Sequence, residues 1–193
     1  ARIEGGQLVL EARKEKFEGA EYTSASLTTA QSAAWVYGRI EVRAKIPAGR
    51  GLWPAIWMLG NAIDWKGWPA CGEIDIMENV GFDHDRIHCT VHTKSYNHNQ
   101  GTQKGGSLGL VSPSADFHIY AVEWTAQELV FTCDGNEVLR FRNEGSGPDA
   151  WPFDFDDNQV ADLSDVLKYN APGVFGSASP GPPYATRYDL SED

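Results

Sequence analysis

Cysteine is scarce in this chain of 193 residues, which contains three in all. That odd, low number excludes a disulfide-built scaffold. The sequence also lacks any run approaching the ~18–20 apolar residues that a membrane-spanning helix requires. Positive charge is in short supply, because 16 Lys and Arg face 27 Asp and Glu and give a formal net charge of −11. This balance argues against nucleic acid or an anionic membrane as partner, mildly against acidic polymers, and in favour of a neutral partner.

Several common catalytic motifs are missing as well. The Gly105-Gly106 stretch does not continue into the Lys-Ser/Thr of a phosphate-binding P-loop, and no elbow motif presents a nucleophilic serine. His88, His92 and His98 do not have the spacing of zinc ligands. The sequence therefore predicts no metal site and disfavours phosphate-loop, serine and zinc chemistry.

The run GEIDIME at 72–78 places three carboxylates within six residues of a strand-like segment. Side chains alternate along a strand with a period of two, so Glu73 and Asp75 share one face. Strict alternation would put Glu78 on the opposite face. A β-bulge at 76–77 would return Glu78 to the face of Glu73, and bulges of this kind occur beside active sites.

Two carboxyl groups about 5–5.5 Å apart perform retaining glycoside hydrolysis, one as nucleophile and the other as acid and then base. Four strand steps cover roughly 13 Å, so Glu73 and Glu78 must lean toward each other. Asp75 between them would hold a proton or a hydrogen bond and keep their pKa values apart. The alternative interpretation is a solvated acidic stripe on an exposed strand.

Aromatic residues surround the acidic strand in the sequence. Trp53 and Trp57 are predicted on one face of a strand, where they would form a stacking platform for sugar rings; alternatively, both fill the core. Trp68 lies in a loop containing Gly and Pro and is predicted to form a wall of the cleft. His92, on the next strand, is predicted to orient a carboxylate or contact the sugar, although a lone His is more often structural.

Cys71 and Cys89 are expected to be free, small core residues. By alternation, Cys71 shares the face of Glu73 and Cys89 lies on the opposite face, so a bridge between them is disfavoured. Cys133 ends a predicted strand.

Short strands separated by Gly and Asp turns predict an all-β sandwich or barrel with antiparallel sheets. The predicted strands are at 2–4, 7–12, 22–29, 36–46, 52–59, 71–80, 87–93, 117–124, 129–133 and 137–141. After about residue 143 the composition shifts, and apolar residues at helical spacing between 160 and 167 predict one short helix near the C-terminus. We expect a catalytic domain at 1–154 and an irregular tail at 155–193.

Six motifs occur in the order and spacing of a known family: YGRIEVRAK at 37–45, GLWPAIWM at 51–58, WP at 68–69, GEIDIME at 72–78, TVH at 90–92 and FHIYAVEW at 117–124. Together they resemble the laminarinase-type branch of glycoside hydrolase family 16, over roughly residues 2–154. The extra Met77 is similar to the bulged branch of the family, whereas the lichenase-type branch lacks that residue.

The resemblance implies a concave β-jelly-roll sandwich of two antiparallel sheets with a glycan cleft across one of them. It implies retaining endo-hydrolysis of β-1,3-glucan, with Glu73 as nucleophile, Asp75 as its assistant and Glu78 as acid/base. The implied partner is a neutral β-glucan, with no cofactor and an extracellular location. The alternatives are a non-catalytic β-glucan-binding module and a hydrolase of mixed-linkage β-1,3-1,4-glucan or an algal galactan.

The chain departs from the family pattern at three points. Ser26 stands where family members usually carry an Arg that lines the cleft, which predicts an effect on substrate affinity. The usual first and closing strands are not recognisable, so we expect that the tail replaces them, that a partner supplies them, or that the chain is a fragment. A monomer is expected unless another chain supplies the missing strands. The matched residues do not support the structural calcium site of the family, because that site draws on the end segments.

Overall fold

The computed structural model describes residues 1–30, 32–145 and 149. Contacts within the chain divide these residues into two compact units, one at 1–34 and one from Trp35 onward. The predicted boundary at residue 154 stays a prediction. The predicted helix at 160–167 and the tail at 155–193 lie outside the described residues.

The first unit consists of two small hairpins. β1 (Arg2–Glu4) pairs with β2 (Gln7–Val9), and β3 (Arg13–Phe17) pairs with β4 (Ala20–Thr23), both antiparallel. Gly5 and Gly6 both have positive φ, at 56° and 77°, which suits the tight Gly-Gly turn predicted between β1 and β2. The strand predicted at 22–29 is wrong beyond Thr23, since the polar segment that follows has no strand partner among the described residues.

The second unit contains eight strands in two antiparallel sheets. The strands are β5 (Gly38–Ala44), β6 (Ala55–Leu59), β7 (Glu73–Glu78), β8 (Arg86–His92), β9 (Lys104–Gly109), β10 (His118–Trp124), β11 (Glu128–Cys133) and β12 (Asn136–Arg142). The sheet orders are β12-β11-β10-β5 and β6-β7-β8-β9. Between β6 and β7 lies a four-residue helix, α1 (Ile63–Lys66), and a 3-10 turn (His98–Gln100) precedes β9.

Alternating apolar residues explain why the two sheets form a sandwich. In β11 the buried positions alternate with partly exposed ones, and Phe131 is fully buried. In β10 Tyr120 and Val122 are fully buried, and Ala121 between them is buried as well. The facing sheet contributes Ile74, Ile87 and others to the same apolar cluster. The predicted all-β sandwich is therefore confirmed.

Gly106 allows the two sheets to approach closely at one edge. A Cβ atom at this position of β9 would lie 2.2 Å from the carbonyl oxygen of Val138 in β12, a distance that real atoms do not reach. A side chain would therefore push β9 and β12 apart. The sequence analysis missed β9, because glycine disfavours strands and 105–106 resembled a loop.

No helix among the described residues is long and apolar enough to cross a membrane. The helical content of these residues is limited to the two short turns named above, as expected for an all-β chain.

Candidate active site

A β-bulge in β7 places the third acid on the face of the other two. Asp75 pairs with Thr90 of β8, and Glu78 pairs with His88, so three steps on β7 oppose two steps on β8. The register between β6 and β7 shifts at the same point. The bulge predicted at 76–77 is confirmed, and its effect is to return Glu78 to the acid face.

Glu73 lies under the loop that connects β6 to β7. It pairs with His92 of β8 and is buried. The indole Nε1 of Trp68 donates a hydrogen bond to Glu73 Oε2 at 2.5 Å. An N–H donor at this distance stabilises the carboxylate and restricts its side-chain rotation.

Close backbone packing at its base holds the loop with Trp68 in place. The N–H of Gly60 donates to the carbonyl of Gly72 at 2.9 Å, closing the loop. A Cβ on Gly60 would lie 1.7 Å from the carbonyl oxygen of Cys71, so this position requires glycine. The loop thereby delivers Trp68 to Glu73, and the role of Trp68 as a cleft wall stays a prediction.

Asp75 is buried between the two glutamates and faces His92. The Nε2 atom of His92 lies 3.4 Å from Asp75 Oδ2, and both side chains are almost fully buried. The imidazole therefore lies where the sequence analysis expected it to orient a carboxylate. Trp57 of β6 pairs with Asp75 from the other side.

Glu78 is less buried than the other two acids and contacts a tryptophan. Trp53 Nε1 donates to Glu78 Oε1 at 3.0 Å. Trp53 and Trp57 are 48% and 37% exposed, so neither fills the core. The predicted strand at 52–59 begins only at Ala55, because Pro54 lacks the N–H that a strand interior needs. Trp53 nevertheless reaches the acid face.

A surface depression of about 320 Å³ lies beside Glu78. Its walls include aromatic, acidic, imidazole and hydroxyl side chains: Trp53, Glu78, Phe82, Asp83, His88 and Thr90. The depression joins an apolar surface to hydrogen-bonding groups, as sugar-binding surfaces require.

His98 was missed by the sequence analysis as a member of the site. Its ring stacks on Trp68 at a centroid distance of 4.5 Å and meets His92 edge-on at 5.1 Å. Its 3-10 turn is anchored by buried Asn97, whose Nδ2 donates to the carbonyl oxygens of Thr93 and Lys94. No local pattern marks His98, because its partners are distant in sequence.

All three cysteines are free and buried, as expected for Cys71 and Cys89. Burial raises the pKa of the Cys71 thiol to about 11, that of Cys89 to about 12 and that of Cys133 to about 11. Thiols protonated at neutral pH are poor nucleophiles. The cysteines are therefore structural.

Within 1–30, 32–145 and 149, no group of three His, Cys, Asp or Glu side chains could hold a metal ion. Ser26 lies exposed in the first unit, and its predicted effect on affinity stays a prediction.

Comparison with known proteins identifies relatives of this chain. The family model for glycosyl hydrolases family 16 matches residues 2–161. A β-glucanase of Rhodothermus marinus is 53% identical over 161 residues, which cover 80% of this chain and 56% of the relative. A β-1,3-glucan-binding protein of Penaeus monodon is 39% identical and covers 68% of this chain and 37% of the relative.

The solved structures agree with the sequence matches. The laminarinase of Rhodothermus marinus superimposes with a TM-score of 0.74 at 51% identity, over 78% of this chain and 63% of that one. The chain thus spans little more than half the length of the Rhodothermus β-glucanase.

Proposed function

This chain belongs to glycosyl hydrolases family 16, and we propose that it cleaves β-1,3-glucan internally with retention of anomeric configuration. The geometry of the site and the relatives described as a β-glucanase and a laminarinase support this activity, substrate and mechanism.

The observation that carries the proposal is the shared face of Glu73, Asp75 and Glu78. A solvated acidic stripe would leave all three exposed, whereas Glu73 and Asp75 are buried. Burying like charges together is costly unless specific partners or a function compensates. Trp68, His92 and Trp53 contact the three acids in turn, so each carboxylate has its own partner.

In the proposed reaction Glu73 attacks the anomeric carbon while the glycosidic C–O bond breaks. Glu78 donates its proton to the departing oxygen, which leaves as the alcohol of the next sugar. Glu78, now a carboxylate, then takes a proton from water as the water oxygen attacks the anomeric carbon and releases Glu73. Asp75 positions the nucleophile, with His92 holding Asp75 in turn.

The Trp68 hydrogen bond has a role in both steps. It stabilises the charged form of Glu73 before attack and again when the carboxylate departs from the intermediate. The Trp68 N–H thus stabilises the negative charge that returns to Glu73 when the intermediate breaks down.

Trp53, Trp57 and Trp68 supply the sugar-binding surface in this proposal. The C–H face of a pyranose ring packs on an aromatic ring, and the two exposed tryptophans lie beside Asp75 and Glu78. The formal charge of −11 disfavours sulfated substrates by repulsion, which supports a neutral glucan. The reaction needs no cofactor, because the carboxylates perform both proton transfer and nucleophilic attack.

A second candidate is binding of β-glucan without cleavage. The Penaeus relative, described as a β-1,3-glucan-binding protein, supports it. The full set of three acids favours hydrolysis, since binding alone does not require them. Mixed-linkage β-1,3-1,4-glucan and algal galactans remain alternative substrates for the same chemistry.

The test is a panel of laminarin, mixed-linkage glucan, agarose and carrageenan, with reducing-sugar release and product analysis. We expect cleavage of laminarin above the others, with the β-anomer as the first product by NMR. Glu73→Gln should abolish release, and Glu41→Gln should not, because Glu41 is an exposed strand residue paired with Arg39. Laminarin cleavage that survives in Glu73→Gln contradicts the assignment, and binding without release supports the second candidate.

We also propose that the protein is secreted and acts as a monomer. We expect secretion because a β-glucan polysaccharide is too large to enter a cell. Cell fractionation tests the location, and light scattering of the purified chain tests the oligomeric state.

A further inference from the structure

We propose that Phe82, together with Trp53, forms a sugar-binding subsite beside Glu78. This inference rests on the proposed function, because the glucan substrate defines which ligand the subsite takes. Phe82 lies on the loop between β7 and β8, outside the sequence motifs that indicated the site.

Phe82 is 75% exposed and lines the depression beside Glu78. Single exposed apolar residues are common and need no explanation. This one differs because it faces the same 320 Å³ space as Trp53, and a hydrogen bond ties Trp53 to Glu78. Two aromatic side chains therefore line one depression next to the acid/base.

The loop that carries Phe82 is tightly held at its start. Asn79 is completely buried, and its Nδ2 donates to the carbonyl oxygens of His84 and Arg86 at 2.8 and 2.7 Å. These two bonds span the loop and bring its ends together.

The residue before Phe82 is fixed against the loop segment that leads to Trp53. The N–H of Gly81 donates to the carbonyl of Leu52 at 2.8 Å. A Cβ on Gly81 would lie 1.7 Å from the carbonyl oxygen of Gly49, so only glycine permits this approach.

The residue after Phe82 is held by the backbone and by an ion pair. The N–H of Asp83 donates to Val80, the N–H of Arg86 donates to Asp83, and the Arg86 guanidinium lies 3.3 Å from the Asp83 carboxylate. Phe82 is thus presented at the tip of a well-ordered turn. A pre-ordered aromatic loses little conformational entropy when it binds a ligand.

The walls of the depression match the chemistry of a glucosyl unit. The phenyl ring of Phe82 and the indole of Trp53 offer apolar faces for the C–H groups of the ring. Asp83 and His88 offer hydrogen-bonding atoms for its hydroxyl groups. A glucosyl unit bound here would lie beside the carboxyl group of Glu78.

The experiment measures laminarihexaose binding by titration calorimetry in the Glu73→Gln background. We expect Phe82→Ala to weaken binding about tenfold, which corresponds to about 1.4 kcal/mol. Phe82→Tyr keeps the aromatic ring and should stay within about twofold of the parent. Val111→Ala is the matched control, because Val111 is 84% exposed and is not among the lining residues.

Unchanged affinity in Phe82→Ala overturns the inference, and so does an absence of laminarihexaose binding in the Glu73→Gln parent. Hydrolysis by the unsubstituted protein tests the proposed function separately. Binding that depends on Phe82 without any sugar release keeps the subsite and rejects the cleavage. Release of sugar with equal kcat/KM in Phe82→Ala keeps the cleavage and rejects the subsite.

Discussion

Deleting Met77 should leave the acid face intact, because the deletion restores strict alternation. The segment would then place Glu73, Asp75 and Glu78 at successive positions of one face without a bulge. Glu78 would keep its partners, Ala55 and His88, since the bulge opposes two residues of β7 to one of each neighbour. Deleting Ile74 is the matched control, because it moves Glu73 to the core face.

The cost of the Met77 deletion follows from its burial. Met77 is 1% exposed, and burying a methionine side chain contributes about 1.5–3 kcal/mol. We expect a loss of about 2 kcal/mol in the free energy of unfolding, or about 4–8 °C in Tm. Ile74 is equally buried, but its deletion additionally drives a carboxylate into the apolar cluster, which costs several kcal/mol more.

Urea unfolding and kcat/KM on laminarin measure the two effects. The Met77 deletion should keep kcat/KM within about tenfold of the parent. The Ile74 deletion should lower it by at least about 10³-fold. A folded Met77 deletion with no activity, or an active Ile74 deletion, would refute the argument from strand parity.

Three further predictions concern single contacts. Trp68→Phe removes the donor to Glu73 and should lower kcat by about 10- to 150-fold in steady-state assays, since a hydrogen bond to a charged group contributes about 1.5–3 kcal/mol; an unchanged kcat contradicts this. Gly106→Ala should destabilise the fold by about 1–3 kcal/mol in urea, whereas Gly105→Ala, whose Cβ would meet its nearest atom at 3.5 Å, should have a much smaller effect. Hydrogen bonds from a histidine and a backbone N–H lower the pKa of Asp134. Its contribution to the stability of the fold is therefore present above the ordinary carboxyl pKa of about 4. That contribution is lost as the pH falls through the lowered pKa of the folded state. Asp134→Asn should therefore lower Tm near pH 7 and lose that difference at low pH; a constant difference from pH 7 to pH 2 contradicts the linkage.

Most strands could be predicted because their apolar residues alternate. β5 is an example, with Ile40, Val42 and Ala44 partly buried between exposed charged residues. β9 could not be predicted, because its strand conformation depends on pairing with β8 and on the close approach of Gly106 to β12. Those interactions come from residues that are distant in the chain.

Some features of the candidate site could likewise be predicted from the sequence, and others depend on the fold. The face of the three acids and the need for a bulge followed from the spacing of Glu73, Asp75 and Glu78. The stacking of His98 on Trp68 did not, because a 3-10 turn and a separate loop bring them together. Phe82 could not be predicted either, because its sequence context resembles that of other apolar residues. Only the folded chain places it at the depression beside Glu78.

Side chains alternate with a period of two in every strand, whatever its neighbours are. The acidic face and the position of its bulge could therefore be predicted from seven consecutive residues. Which groups contact those acids depends on strand order and loop closure, which arise only when distant segments pack. The folded chain brings Trp68 to Glu73, His92 to Asp75 and Trp53 to Glu78, and so gives three similar carboxylates three different environments.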